Sequence, residues 1–487
     1  MNDRCDVVVV GSGPNGLAAA VVIARAGLEV RVFEAQDSIG GGARTLDLGT
    51  APGLVHDLCS AVHPMAAMSP FFRAFDLPSR IELRYPEVSY AHPLDGGRAG
   101  IAYQDLRRTV AGLGPDGPAW RRLMRPLVER VEGTVATAMF DRRSIPTAPV
   151  SAVRFALATL EQGSPLWNLR WRADVAPAML TGVAAHSIST LPSLAAAGAA
   201  TLLASLAHAP GWPLPVGGSQ AITDALVSDL AGHDGTVTAG IEVSDLAQLP
   251  PARAYLLDVT PRGLVRITGN RLPDRYARAL SRFPYGNGVT KVDFAISGPV
   301  PWEHAEVGRA RTVHVCGSRS QMVAAEDAVA AGRHAERPMI LASDPALLDP
   351  SREVGGVRPL WTYAHVPAGS TVDIGDTVQA QIERFAPGFG DLVVARNVIT
   401  AAELPRHNAN YVGGDIAAGA VTLWRMLARP SARWDPYSTP LPGVYLCSAS
   451  TPPGPGVHGM AGLHAARRAL RDRFGIREIP QLGPNSP

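Results

Sequence analysis

The hydrophobic pattern near the amino terminus predicts a strand, a helix and a second strand. Val7 to Val10 is an unbroken apolar run, which is typical of a parallel strand buried on both faces. Leu17 to Ala26 has a helical composition, and Glu29 to Phe33 has the composition of another strand. This alternation of strand and helix indicates an α/β fold built around a parallel sheet.

Two later stretches repeat this pattern. Residues 215–243 predict a loop, a helix and a pair of strands that ends at Val243, and residues 252–261 predict a further buried strand. Residues 443–474 predict a strand at Val444 to Cys447, a glycine- and proline-rich turn and a helix that begins near Gly459. We therefore expect one nucleotide-binding fold assembled from three separate segments.

The intervening residues predict a second domain. Gly288 to Ile296 alternates apolar and polar residues, which favours a strand. The most apolar stretch, residues 193–207, is either a buried helix or a helix that dips into a membrane surface. No charged residue lies between Asp174 and Asp224, so this stretch forms either plain core or the lining of a large apolar pocket. Its His186, like His63, is interpreted as a core histidine rather than a base.

Composition narrows the class of protein. The 487 residues are 46% hydrophobic and 18% charged, which suits a globular chain with a sizeable interior. A net charge of +2 gives no reason to expect a nucleic-acid partner. The four cysteines lack CxxC spacing and indicate reduced thiols in a cytoplasmic protein, and no signal peptide is expected. Residues 476–487 are expected to form a disordered tail.

A glycine motif lies between the first strand and helix. Gly11 permits a tight turn, Gly13 lets a diphosphate approach the backbone, and Gly16 lets helix and strand pack closely. The helix amino terminus would face that diphosphate. Glu34, at the end of the second strand, is placed to accept ribose hydroxyls. The complete strand-helix-strand context predicts a dinucleotide site.

The residues beyond Glu34 resemble a motif of two-domain flavoproteins. The sequence SIGGGARTLDL brings Gly41, Gly42, Arg44 and Thr45 close to the ribose acid. In such flavoproteins the arginine and the backbone amides of this motif add a second grip on the FAD diphosphate. The likeness therefore implies that the dinucleotide is FAD.

The three segments together resemble phytoene desaturase-like FAD oxidoreductases, relatives of monoamine oxidases. IGGGART, HNANYVGGDI and YLCSASTPPGPGVHGM are similar to signatures of the subgroup of pyridine nucleotide-disulphide oxidoreductase domain-containing protein 2. The likeness covers about residues 5–475. Two departures are Ala449, where many relatives have an acidic residue, and Pro455, which interrupts a triple glycine. Carotene desaturases share the first departure, so FAD remains the expected cofactor.

The resemblance implies the fold and its domains. It implies a discontinuous glutathione reductase-type Rossmann domain that binds FAD, with an inserted α+β substrate domain around a mixed or antiparallel sheet. The FAD domain would comprise residues 1–65, 208–285 and 425–475, and the substrate domain residues 66–207 and 286–424. The implied FAD contacts are Gly11, Gly13, Pro14, Asn15, Gly16, Glu34, Ala35, Gly41, Gly42, Ala43, Arg44, Thr45, Val243, Ser450, Gly456, Val457, His458 and Met460.

Two side chains are candidate catalytic residues. Lys291 is the only lysine, since the other 44 basic residues are arginine. In monoamine oxidase-like relatives a lysine on the corresponding strand holds a water against flavin N5, and an ammonium is a compact donor that arginine would not replace. His458 lies in the turn that faces the flavin in this family. We expect both side chains to lie at the flavin; the alternatives are a solvated lysine and a structural histidine.

The predicted activity is transfer of a hydride from an apolar C–H or C–N bond of a lipophilic substrate to flavin N5. No second nucleotide-binding fold is predicted and no CxxC is present, so electrons would pass to oxygen, a quinone or another acceptor rather than to a resident NAD or disulfide. A redox-neutral polyene isomerase and a non-catalytic FAD-binding scaffold remain alternatives. Peripheral contact with a membrane is a further expectation. The sequence does not predict the oligomeric state.

Overall fold

A parallel sheet organises the first part of the fold. The structure is a computed structural model that describes residues 4–141 and 147–484. In spatial order the strands of this sheet are Val444–Leu446, Ala254–Leu257, Val7–Val10, Val30–Phe33 and Thr236–Thr238, and all four pairings are parallel. Val7–Val10 is the central strand and is buried on both faces, as its uninterrupted valines predict.

Helices cover both faces of this sheet. Pro14–Arg25, Gln220–Ala231 and Met460–Ala469 pack in one core with Val7 and Val9, whereas Pro261–Thr268 and Asp274–Ser281 pack in another core with Val8 and Val10. The alternating valines thus face opposite layers, as successive residues of a strand must. The result is the doubly wound arrangement of a Rossmann fold.

The second part of the fold is built on a seven-stranded mixed sheet. Its strands in spatial order are Val393–Ile399, Gly288–Ile296, Arg358–Val366, Ile340–Ser343, Ala310–Val315, Val88–Leu94 and Arg98–Tyr103. Ala310–Val315 pairs in parallel with Val88–Leu94, and the other pairings are antiparallel. The strand predicted at 288–296 is present and fully buried. A parallel Rossmann sheet with a separate mixed sheet confirms the predicted fold class.

Segments that form the parallel sheet alternate along the chain with segments that form the mixed sheet. The strands of the parallel sheet fall within residues 1–65, 208–285 and 425–475, and those of the mixed sheet within residues 66–207 and 286–424. Two small ribbons complete the strands: Thr45–Asp47 with Val55–Asp57, and Leu83–Arg84 with Leu214–Pro215. The remaining helices are Pro64–Met68, Pro70–Ala74, Leu77–Arg80, Leu106–Gly112, Gly117–Val128, Val131–Ala138, Pro149–Gln162, Val175–Ala184, Leu194–Ala207, Arg319–Ala330, Gly375–Glu383, Leu404–His407 and Leu423–Leu427.

The apolar stretch at 193–207 is a buried helix. Leu194–Ala207 is capped by the Ser193 hydroxyl and packs between helices Pro149–Gln162 and Val175–Ala184. Most of its side chains are buried, which decides between the two interpretations of this stretch. Within residues 4–141 and 147–484, no helix is long and apolar enough to cross a membrane.

Two local expectations are wrong. The predicted strand pair before Val243 is a single strand, Thr236–Thr238, because the chain turns at Gly240 with φ +72° and continues as a loop.

The second wrong expectation is the disordered tail at residues 476–487, which is packed against the fold as far as the structure describes it. Leu482 is buried in the core beside helix Pro14–Arg25, and Arg25 donates to the carbonyls of Gln481 (3.1 Å) and Gly483 (2.8 Å). Residues 485–487 lie outside the described chain.

Candidate cofactor and substrate site

A cavity of about 1160 Å³ lies where the three nucleotide-fold segments meet the mixed sheet. Its lining includes Gly11 from the first segment, Asp258 from the second and Gly456 from the third, followed by His186 and Trp361 from the other domain. This volume exceeds the range of about 300–1,000 Å³ that is typical of small-molecule sites. The cavity is thus a site that a large cofactor and a substrate can share.

The first glycine turn has the predicted geometry. Gly11 adopts φ +98°, and a Cβ there would lie 2.9 Å from the Asp258 carbonyl oxygen. A Cβ on Gly16 would lie 2.2 Å from the Gly11 carbonyl oxygen, so a side chain would force helix and strand apart. Gly13 immediately precedes helix Pro14–Arg25 and lines the cavity. The helix amino terminus therefore faces the cavity, where the Gly16 amide already donates to Asp258 (2.9 Å).

Glu34 lines the cavity at the end of its strand. Its Oε2 accepts hydrogen bonds from the Ser12 amide (2.8 Å) and hydroxyl (2.6 Å), and its Oε1 accepts one from the Gln36 amide (2.9 Å). These donors fix the carboxylate without exhausting its lone pairs. A ribose hydroxyl can still donate to it.

The second glycine cluster contributes backbone atoms, and not the charged side chain of Arg44, to the cavity lining. Gly41 and Gly42 line the cavity, and a Cβ on Gly42 would lie 2.1 Å from the Tyr411 hydroxyl oxygen. Arg44 is buried outside the lining: it donates to the carbonyl oxygen of Gly41 (2.9 Å) and to that of His407. Burial lowers the pKa of its guanidinium. The expected grip of Arg44 on a diphosphate is therefore not seen, because the guanidinium braces two loops.

Thr45 and Ser450 also lie outside the cavity lining. The Thr45 hydroxyl donates to Asp57 (2.7 Å), and the Ser450 hydroxyl donates to the Ala418 carbonyl (2.6 Å). Gly16 and Met460 are likewise not part of the lining, although both lie in the first turns of helices that begin beside it. The implied contacts that do line it are Gly11, Gly13, Pro14, Asn15, Glu34, Ala35, Gly41, Gly42, Ala43, Val243, Gly456 and Val457.

His458 closes the third turn instead of facing the cavity. The Met460 amide donates to its Nδ1 (3.0 Å), so the proton must be on Nε2, which donates to the Gly454 carbonyl (3.0 Å). Burial lowers the pKa of this histidine to about 4, so the ring is neutral. Both nitrogens are used within the turn, which leaves no hydrogen bond for a flavin or substrate and contradicts the expectation that His458 acts there.

Lys291 lies one layer behind the cavity wall. Its ammonium forms a buried ion pair with Asp293 and lies 4.9 Å from the ring centroid of Trp361, which lines the cavity. Burial lowers the pKa of Lys291, while the Asp293 carboxylate opposes this shift. The lysine is thus neither a solvated strand residue nor, with Asp293 as its partner, a residue that faces the cavity.

The charges around Lys291 form a buried cluster. His56 Nδ1 lies 3.7 Å from Asp293, and burial together with the nearby ammonium lowers the pKa of His56 to about 3. Arg352 forms a neighbouring buried ion pair with Asp57 at 3.1 Å. Three of these side chains come from segments remote from Lys291 in the sequence, so strand periodicity alone could not place the lysine in such a cluster.

Sequence reasoning missed Asp258. It follows strand Ala254–Leu257, lines the cavity and accepts the Gly16 amide at 2.9 Å. Burial, with a smaller contribution from Glu34, raises the pKa of Asp258 to about 7. In its protonated form this carboxyl would offer a donor rather than a negative charge beside a diphosphate. The signal was a lone acid directly after a buried apolar strand.

The segment HNANY forms another wall of the site. Residues 405–411 line the cavity at its dinucleotide end. The Asn410 side chain fastens this segment to the central fold, since it accepts from the Thr260 amide (2.8 Å) and donates to the Asp258 carbonyl (3.0 Å). The HNANY motif is visible in the sequence, but its role depends on the contact between Asn410 and Thr260, which are 150 residues apart.

The far half of the cavity is apolar and aromatic. It is lined by Leu202, Leu203, Trp212, Trp361 and Tyr363, among others. The charged residues in the lining, excluding histidine, are Glu34, Glu242, Asp258, Arg266 and Arg406, and all five belong to the dinucleotide end. His186 and His63 line the cavity too; His63 is nevertheless buried, and its Nε2 lies 2.8 Å from the Ser219 hydroxyl oxygen, as expected of a core histidine. Cys59 also lies in the lining, whereas Cys5, Cys316 and Cys447 are buried and all four thiols are free.

The residues of the dinucleotide end fit FAD. The glycines leave a cradle that a Cβ would fill, the helix amino terminus supplies donors for phosphate, and Glu34 supplies an acceptor for ribose. The buried Asn15 amide oxygen, at the edge of the cavity, has no hydrogen-bond partner among the described residues. A polar atom of this kind is expected where a ligand completes the site.

Comparisons with known proteins agree with this arrangement. Residues 9–76 match the family model described as an NAD(P)-binding Rossmann-like domain. Pyridine nucleotide-disulfide oxidoreductase domain-containing protein 2 of Rattus norvegicus is 24% identical, and the alignment covers 96% of this chain and 93% of that protein. A segment of 46 residues, 9% of each chain, is 56% identical to amine oxidase [flavin-containing] B of Cavia porcellus.

The fold matches that of an amine oxidase. Putrescine oxidase, solved in complex with putrescine, superposes with a TM-score of 0.58 at 18% sequence identity. The match covers 97% of this chain and 99% of that one. Over nearly its whole length, the chain is similar to pyridine nucleotide-disulfide oxidoreductase domain-containing protein 2 and has the fold of putrescine oxidase.

Proposed function

We propose that this protein is an FAD-dependent oxidoreductase that removes a hydride from an apolar C–H or C–N bond of a lipophilic substrate. The observation that carries the proposal is the continuity of the cavity. It runs from the glycine turn and Glu34 to an apolar chamber lined by Trp361 and Leu202 without a break. A dinucleotide bound at one end therefore shares its cavity with whatever occupies the other.

The chain's own residues would hold FAD at the dinucleotide end. Gly13 and the helix that follows it would bind the diphosphate, and Glu34 would accept the ribose hydroxyls. Val243 would lie beside the adenine, and Gly456 and Val457 would border the flavin ring. Bound FAD would supply the acceptor for the hydride drawn from the substrate. Homology to flavoproteins such as flavin-containing amine oxidase B supports this cofactor.

The apolar chamber supports a lipophilic substrate. Its side chains exclude water and offer no counter-ion, because the charged lining residues other than histidine lie at the dinucleotide end. A strongly charged substrate would lose its hydration there without compensation. The acceptor that takes electrons from the reduced protein would be oxygen, a quinone or another molecule.

An apolar rim supports peripheral contact with a membrane. The rim consists of Leu423, Leu427 and Trp434, which are exposed and line the cavity, and of the stripe Val150, Val153, Leu157 and Leu160 on helix Pro149–Gln162. The same helix contributes Phe155 and Thr159 to the cavity lining. Large exposed apolar surfaces of this kind mark interaction sites. A lipid surface seated on the rim would deliver lipophilic molecules directly to the chamber.

Anaerobic reduction tests the proposed reaction. Lipophilic compounds are added to the purified protein without oxygen, and the flavin absorbance is followed. An oxidoreductase is bleached by its substrate, and air restores the colour. A polyene isomerase converts its substrate only after the flavin has been reduced beforehand, and a scaffold does neither, so either of these outcomes would replace the proposal.

A further inference from the structure

We infer that His186 is the polar contact of the chamber and selects a lipophilic substrate that carries one uncharged oxygen function, a hydroxyl or a carbonyl. The inference deepens the proposed function, because it names a class of substrate for the same cavity. It rests on the position of the His186 ring, the partner of its inner nitrogen and the absence of charge around it.

The His186 ring is fixed at the cavity wall. It lies in the turn Ala185–Ser187 that follows helix Val175–Ala184, and it packs edge-on against Trp212 at 5.7 Å between ring centroids. Its Nε2 lies 2.8 Å from Nε2 of His314, which is fully buried in strand Ala310–Val315. One proton lies between these two nitrogens, so the rings form a hydrogen-bonded pair.

The other nitrogen of His186 is available to a ligand. Nδ1 has no hydrogen-bond partner among the described residues, and His186 lines the cavity. By contrast, Nδ1 of His314 and Nδ1 of His92 are buried and lack partners within the described chain. These two nitrogens lie against Gly182 of helix Val175–Ala184, within 2.9 Å of the position that a Cβ on this glycine would occupy. His186 Nδ1 is therefore the nitrogen of this cluster that a molecule in the chamber can reach.

The pair can offer either a donor or an acceptor to the chamber. If His314 donates to His186, the neutral His186 must have its proton on Nδ1 and presents a donor. If His186 donates to His314, Nδ1 presents a lone pair. A carbonyl oxygen suits the first arrangement, and a hydroxyl suits either. The two arrangements differ only in the positions of protons, so both oxygen functions fit one geometry.

The surroundings exclude charged groups at this position. Burial lowers the pKa of His186 to about 3 and that of His314 well below its usual value, so both rings are neutral at physiological pH. No Asp, Glu, Lys or Arg of the described chain lines this half of the cavity. A protonated amine or a carboxylate would lack a counter-ion, whereas a pure hydrocarbon would leave Nδ1 without a partner.

A matched set of probes tests this inference: cyclohexylbenzene, 4-phenylcyclohexanol, 4-phenylcyclohexanone and protonated 4-phenylcyclohexylamine share one skeleton. Binding to the purified protein is measured by quenching of tryptophan fluorescence, because Trp212 contacts His186 and Trp361 lines the cavity. We expect the alcohol and the ketone to bind at least about tenfold more tightly than the hydrocarbon, about 1.4 kcal/mol. The amine should bind more weakly than either oxygen compound.

Two variants test whether His186 causes the preference for the alcohol and the ketone. His186→Phe keeps an aromatic ring and should remove the preference for the alcohol and the ketone over cyclohexylbenzene. His186→Asn, which keeps a polar group near the position of Nδ1, should retain most of it. Equal binding of ketone and hydrocarbon by the wild type, or a preserved preference in His186→Phe, overturns the inference. Because the readout needs no flavin, a protein without FAD would contradict the proposed function but not this one.

Discussion

The only lysine of the chain is part of a buried ion pair. Lys291 and Asp293 point to the same face of strand Gly288–Ile296, and both are buried. The compact ammonium fits between Trp361 and the carboxylate, where a planar guanidinium would need more room. This packing gives a physical reason for lysine at one position in an arginine-rich chain.

Lys291→Met should therefore cost stability. The substitution leaves the Asp293 carboxylate buried without its cation, and loss of one partner of a buried pair costs about 3–5 kcal/mol. Lys291→Met with Asp293→Asn should recover part of that loss, as urea unfolding would show. If Lys291→Met keeps wild-type stability but slows flavin reduction at least about tenfold, the lysine acts on the chemistry instead.

His458→Ala should also affect the fold rather than the flavin. The ring accepts the Met460 amide and donates to the Gly454 carbonyl, so its loss removes two hydrogen bonds, each contributing about 0.5–1.5 kcal/mol. The melting temperature should fall while the flavin absorption spectrum stays unchanged. A shifted spectrum at an unchanged melting temperature would return His458 to the cofactor.

Residue placement could be predicted from sequence only where local geometry decides it. Gly11, Gly13 and Glu34 line the cavity because the strand-turn-helix motif itself fixes their positions. Arg44 could not be placed in this way, because its direction depends on the carbonyl of His407, 363 residues away. The place of His186 at the cavity wall could not be predicted for a related reason: a histidine in an apolar stretch resembles any other core residue until its neighbours are known.

At the scale of elements, the helix Pro149–Gln162 has its apolar face outward. Val150, Val153, Leu157 and Leu160 recur at intervals of three and four residues, which gives one exposed stripe. In the sequence, the neighbouring helix Leu194–Ala207 is more continuously apolar than Pro149–Gln162 and therefore gives the stronger hydrophobic signal. Tertiary packing buries the more apolar helix and leaves the amphipathic one at the surface.

Membrane contact through this stripe can be tested with vesicles. We expect the wild type to co-sediment with vesicles of phosphatidylcholine and phosphatidylglycerol, and Val153→Glu with Leu157→Glu to reduce binding at least tenfold, since buried charges oppose insertion. Val394→Glu is the control, because Val394 is similarly exposed on strand Val393–Ile399 in the other sheet. A wild type that does not bind, or a control that loses as much, would refute the membrane surface.

The strands of the parallel sheet could be anticipated because their signals are local and repeated. Three apolar strands followed by glycine-rich or polar turns predicted a parallel sheet, and the sheet contains all three. The packed tail could not be anticipated in the same way. Its apolar residues Ile476, Ile479 and Leu482 are sparse, and they become meaningful only beside the core that receives them.

At the scale of the whole molecule, buried neutral histidines make the fold sensitive to acid. Burial lowers the pKa of nine described histidines: His56, His63, His92, His186, His208, His314, His407, His458 and His464. In the unfolded chain these rings take up protons below about pH 6.5. Asp258 and Asp293, whose pKa values are raised to about 7 and about 6, act in the opposite direction, but they are fewer.

The free energy of unfolding should therefore be highest above about pH 6.5 and fall as the pH drops towards 4, because the unfolded state binds more protons. Urea unfolding at pH 8 and pH 5 measures this difference. The midpoint should be lower at pH 5, and unfolding at that pH should take up protons. A midpoint that stays constant or rises at pH 5 would contradict the assignment of these rings as neutral and buried.

The most direct test of the whole account is to measure which cofactor the protein binds and how tightly it binds it. The purified protein should be yellow, and denaturation should release FAD rather than FMN. Glu34→Ala should weaken FAD binding by about 1–3 kcal/mol, the loss expected for a hydrogen bond to a charged group, whereas Glu29→Ala, at the exposed position just before the same strand, should not. Colourless wild-type protein that refuses added FAD would contradict the account.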